Sequence, residues 1–116
     1  MEMEKDEREL LLTAAWMFAR HGQTLRALTL CEALHEESPR DGVSAAAVAE
    51  LLLGERRAEE ALKALREAEF PRELRRAEAL LETRALTMLG RQADAVRRWN
   101  RYLESSKGKE RNWISG

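Results

Sequence analysis

Residues 24–34 read TLRALTLCEAL, residues 58–68 read AEEALKALREA and residues 92–102 read QADAVRRWNRY. These three stretches start 34 residues apart, and the spacing aligns Ala27 with Ala61 and Ala95. Laid over one another they give further matched columns: Leu28, Leu62 and Val96; Cys31, Leu65 and Trp99; Leu34, Ala68 and Tyr102. Upstream, Phe18, Leu52 and Leu86 share the same step. A fixed interval of this length marks an array in which each unit is a helical pair that buries its apolar face only against its neighbour.

Working outward, the first unit carries Leu11, Ala14, Ala15, Phe18, Gly22, Ala27, Cys31 and Leu34 and ends at Pro39. The second carries Ala45, Val48, Ala49, Leu52, Ala61, Leu65 and Ala68 before Pro71, and the third carries Ala79, Thr83, Leu86, Gly90, Ala95, Trp99 and Tyr102. This pattern resembles the tetratricopeptide-repeat family. The resemblance implies an all-α fold of three tandem helix-turn-helix repeats forming a short curved solenoid. Residues 1–106 form the domain, with repeats at about 8–39, 42–71 and 73–106, and residues 107–116 are read as a flexible tail. The sequence departs from the pattern where Arg56 replaces the turn glycine and where Glu82 and Thr83 enter the small-residue column.

Periodicity and punctuation place six helices. The first runs from about residue 6 to 21, ended by Gly22. The second runs from about 24 to 36, with Thr24 as N-cap and Ser38-Pro39 as its stop. Arg40-Asp41-Gly42 reads as a turn. The third helix, about 44–53, is nearly all Ala, Val and Leu and is expected to be the most enclosed. The remaining three are expected at about 57–69, 72–89 and 92–105. Alanine-rich apolar runs favour helix over strand.

Composition excludes several functions. Lys and Arg number 20 against 21 Asp and Glu, so no broad basic field for nucleic acid exists. The one cysteine, Cys31, cannot form an internal disulfide and sits in an apolar column, where it reads as a small core residue. No signal-peptide layout precedes the first helix, and the most apolar stretch, residues 43–53, is far shorter than the roughly 20 residues a membrane span needs. A cytoplasmic location is expected. His21 and His35 are the only histidines, each near a predicted helix C-terminus where the dipole favours them. With no second cysteine, no histidine pair and no glycine-rich loop, neither catalysis nor a metal or cofactor site is expected.

A protein partner is expected instead. In the family, ligands contact the first-helix faces that hairpin packing leaves free. The matching positions are Glu9, Leu12, Trp16, Ala19 and Arg20 in unit one, Val43, Ala46, Glu50 and Leu53 in unit two, and Ala77, Leu80, Arg84, Thr87 and Met88 in unit three. This set is mostly apolar, unlike the Lys, Asn and Arg clamp of repeats that hold a chaperone's acidic C-terminus. Either a small protein spends these side chains on its own core, or they receive an amphipathic helix, with Trp16 and Met88 as anchors and Arg20, Glu50 and Arg84 setting polarity. The run Arg56-Arg57-Ala58-Glu59-Glu60-Ala61-Leu62, the break at Pro71 and the ending Met88-Leu89-Gly90 are similar to those of type III secretion needle-subunit chaperones. That resemblance implies a chaperone sequestering a self-polymerising secreted subunit, alongside a second small chaperone. The alternative is a general scaffold or a self-assembling adaptor, in which the groove or the uncapped third repeat pairs with another copy.

Overall fold

The computed structural model describes the backbone of residues 4–115 and the side chains of residues 4–107. The described chain is helical: α1 (Lys5–Arg20), α2 (Thr24–Glu37), α3 (Gly42–Gly54), α4 (Ala58–Glu67), α5 (Arg75–Met88) and α6 (Gln92–Ser115), with one 3-10 turn at Arg72–Leu74 leading into α5. No strand forms among the described residues; Asp41 and Glu69 make a lone bridge. The helices pair as α1 with α2, α3 with α4 and α5 with α6, and each hairpin packs on the next through α2 on α3 and α4 on α5. In addition, α3 packs on α5.

The three hairpins close through the same turn. The Gln23 N–H donates to the Phe18 carbonyl at 2.8 Å, the Arg57 N–H to Leu52 at 2.8 Å and the Arg91 N–H to Leu86 at 2.9 Å. Inside each loop a second bond, spanning three residues, runs from the Gly22 N–H to the Ala19 carbonyl, Arg56 to Leu53 and Gly90 to Thr87. These paired bonds form the Schellman closure, which satisfies carbonyls orphaned at a helix end and requires one left-handed residue. That residue is Gly22 (φ 77°), Arg56 (φ 61°) or Gly90 (φ 76°). The non-glycine at position 56 therefore leaves the turn unchanged and bears the steric conflict of a Cβ in left-handed backbone.

Alanine permits close helix crossings within these hairpins. Ala27, Ala61 and Ala95 are all buried, as are Ala15 and Ala49 on the first helices, so backbones approach where a larger side chain would hold them apart. Leu28, Cys31, Leu52, Leu62, Leu65 and Leu86 fill the space around them.

The joints between hairpins differ from the sequence reading. Asp41 is more than a turn residue, because its carboxylate accepts from the Ser44 N–H at 3.2 Å and the Val43 N–H at 3.4 Å. It thereby caps α3, which starts at Gly42 rather than at residue 44. Arg8 of α1 donates to the same carboxylate at 3.0 Å and to the Leu34 carbonyl at 3.3 Å, tying the first hairpin to the second. Burial pushes the Asp41 carboxyl up, but the Ser44 N–H and the Arg8 guanidinium outweigh it and hold the group below its ordinary value. Gly42 lies against the loop after α4, where a Cβ would come within 2.8 Å of the Glu69 carbonyl oxygen. Thr24 is the first residue of α2 and not its cap; Gln23 holds that position without a side-chain bond.

Two features set the third hairpin apart. In the 34-residue register, Glu82 stands where Val48 stands and Arg98 where Ala64 stands. Glu82 is buried, and Arg98 Nε donates to its Oε2 at 3.1 Å, with Glu78 3.9 Å from the same guanidinium. An ion pair thus fills a place that the second hairpin fills with hydrocarbon. Also, α6 continues past Ser105, where the sequence reading ended it, to Ser115. Side chains 108–116 of the expected tail lie outside the described residues.

Two stability tests follow from this architecture. Arg56→Gly is expected to stabilise the protein by about 1 kcal/mol, and Gly90→Ala to destabilise it by a similar amount. The urea midpoints of the two variants should move in opposite directions; movement together would show that the turns are not equivalent. Arg98→Ala, which strands a buried carboxylate, should cost about 3 kcal/mol. Adding Glu82→Val, which restores the second hairpin's residue pair, should recover most of that loss in the same measurement.

Candidate partner-binding face

Three rows of the 34-residue register run across the first helices. Leu12, Ala46 and Leu80 occupy one row and Trp16, Glu50 and Arg84 the next, with Ala19, Leu53 and Thr87 beyond them. Trp16 is 58% exposed, and the Arg20 guanidinium lies 4.7 Å from its ring centre. That stacking leaves the indole open to a partner while orienting the cation beside it. Between α3 and α5, Arg84 Nη1 donates to both Glu50 carboxylate oxygens, at 3.1 and 3.0 Å. Both side chains are largely exposed, so the pair fixes local polarity and adds little stability.

Around these charges the apolar residues divide. Val43, Leu80 and Met88 are exposed, whereas Leu12, Ala19, Ala46 and Ala77 are half-buried. Leu53 corrects the sequence reading: it is only 2% exposed and belongs to the core. The cause is the position of α3, which packs on α2, α4 and α5 and so has less open circumference than α1. The face is therefore amphipathic, with an aromatic end on α1, an ion pair at its middle and aliphatic side chains on α5.

Recesses elsewhere are charged. One of about 550 Å³, between the start of α5 and α6, is lined by Arg72, Arg75, Arg76 and Arg101 together with Glu73 and Glu78. Burial first, and then the nearby Glu82, raises the Glu78 carboxyl. Cys31 is buried in the apolar column expected of it, and burial pushes its thiol up to about 11, which suppresses the reactive thiolate. His21 caps the end of α1. His35 lies half-buried in the last turn of α2, as expected from its position, and its Nδ1 has no hydrogen-bond partner among the described residues. Among those residues no group of three His, Cys, Asp or Glu could hold a metal ion, and no helix is long and apolar enough to cross a membrane.

The sequence reading missed the exposure of Leu10, Met17, Val96 and Leu103 at the two ends of the helical stack. The available signal was the register itself, since among the described residues no hairpin precedes the first helix or follows the last. Compared with known proteins, the chain matches no family model and no curated sequence.

The chemistry of Cys31 is testable. In native protein at about pH 8 its reaction with a disulfide reagent should proceed only as fast as the chain opens. Denaturant should accelerate labelling in step with loss of helicity, and rapid labelling of folded protein would place the thiol outside the core.

Proposed function

We propose that the three hairpins are tetratricopeptide-like repeats forming a short solenoid, and that the protein is a non-catalytic binding module for an amphipathic helix. The exposure of Trp16 carries this reading. A small core has every reason to bury an indole, yet this one stands open on a first-helix face, with Leu80 and Met88 exposed on α5 in the adjoining rows. The recurrence of one turn geometry at 34-residue intervals supports the repeat assignment.

The client most consistent with the face, and with the resemblance to needle-subunit chaperones, is the helical end of a self-polymerising secreted subunit held in the cytoplasm before export. Its apolar stripe would lie across Trp16, Ala46 and Leu80 towards Met88. Arg20 and the Glu50–Arg84 pair would meet the polar flanks of that helix and set its direction. Burying several large side chains, each worth about 1.5–3 kcal/mol, offsets the cost of association and of ordering the client. Capture masks the surface through which the subunit polymerises. A second small helical chaperone can share the complex.

Titration of a fluorescently labelled peptide from the helical end of a needle-type subunit tests the reading. Wild-type protein should bind it, and Trp16→Ala should weaken binding by roughly thirtyfold, the loss of a hot-spot residue worth about 2 kcal/mol. The circular dichroism of the variant should match wild type. Equal affinities, or no binding by wild type, would remove the helix-capture function.

A further inference from the structure

The two ends of the stack expose the two halves of one interface. On the second helices, Leu28 is 3% and Leu62 5% exposed, because a following hairpin covers them. The residue in the same register on α6, Val96, is 59% exposed. Trp99, in the register of the buried Cys31 and Leu65, is only half-buried, and Leu103 extends the stripe by two turns from Val96. On the first helices the pattern is reversed in direction. Ser44 and Ala85, which α3 and α5 place in register with Leu10 and Met17 of α1, are fully buried. Leu10 itself is 68% and Met17 51% exposed. The distinguishing feature of α1 is the absence of a preceding hairpin among the described residues, and that of α6 is the absence of a following one.

From this we infer that the α6 face of one molecule receives the α1 face of a second copy, repeating between molecules the contact that α2 makes with α3 and α4 with α5. Size and polarity agree with that occupant. Each bare stripe is apolar, and Val96 on one and Leu10 and Met17 on the other share register with residues buried between hairpins, namely Leu28 and Leu62, Ser44, and Ala85. Charge agrees as well. Successive helices joined by short turns run antiparallel, so the same arrangement sets the start of α1, where Glu4, Asp6 and Glu7 outnumber Lys5 and Arg8 is taken up by Asp41, beside the part of α6 where Arg101 and Lys107 outnumber Glu104. The contact joins unlike surfaces, so it propagates head to tail and produces open or closed assemblies rather than a two-fold dimer. It leaves Trp16 and Leu80 free and stands independently of helix capture.

Sedimentation equilibrium of the full chain over a concentration series tests the inference. The weight-average mass of wild type should climb from the 13.3 kDa monomer to at least twice that value. Val96→Glu with Leu103→Glu should hold the mass at monomer, and so should Leu10→Glu with Met17→Glu. An equimolar mixture of the two double variants should return to twice the monomer mass, because one retains an intact α6 face and the other an intact α1 face. If either double variant loses its helical circular dichroism, Val96→Ser and Met17→Ser replace them in the same experiment, with at least a tenfold weakening of association expected for each. The inference is overturned by a wild type that stays monomeric throughout, by a mixture that stays monomeric, or by dissociation in the α6 variant alone. The last result would mean that α6 pairs with itself or with another occupant.

Discussion

A helix in this protein has an apolar stripe that only another helix can cover, and covering it moves the problem one helix onward. Within a hairpin, Ala27, Ala61 or Ala95 lets the two backbones meet. The second helix also carries Leu28 and Cys31, or Leu62 and Leu65, and these are buried in a core that continues from each hairpin into the one that follows. Stacking is therefore a condition for folding rather than an arrangement of finished parts. The Schellman turns at Gly22, Arg56 and Gly90 supply the reversal this requires, and their uniform hydrogen bonding keeps successive hairpins in one register.

The third hairpin shows how that requirement weakens towards the end of a stack. Apolar residues at positions 82 and 98 would enlarge the core, as Val48 and Ala64 do one unit earlier. Glu82 and Arg98 instead satisfy each other as a largely buried pair, and Glu78 also reaches the guanidinium. Such a pair offsets the cost of its own desolvation only while both partners are present. It also fixes α5 against α6 through a directional contact. Glu82, one of the departures from the repeat pattern, thus links α5 to α6 through Arg98.

Much of this was legible because helical packing repeats at a fixed interval. The six helices, their order, the buried alanines and the turn at Arg56 follow from residues that recur at one spacing. The capping role of Asp41 was less accessible: it depends on Arg8, 33 residues away, and on a glycine pressed against the Glu69 carbonyl. Leu53 shows the limit on the candidate site. A wheel drawn on α3 alone puts it with Ala46 and Glu50, but contact of α3 with both α4 and α5 narrows the open sector, and that crossing geometry cannot be read from one helix. Trp16 kept its expected exposure because its row, shared with Glu50 and Arg84, is open on all three first helices.

An end effect separates two kinds of surface that composition alone would merge. Val96 and Met17 are bare because their register demands a neighbour and none follows or precedes them in the described chain. Trp16 occupies the register of Glu50 and Arg84, which are exposed even where neighbours exist. Its exposure therefore belongs to a face open along the whole row, and no added hairpin in the same stack would cover that position. An interaction at the ends extends the pattern by which the protein folds, whereas an interaction at the tryptophan uses a surface that folding leaves aside. That difference separates the stacking proposed for the ends from the helix capture proposed for the Trp16 face.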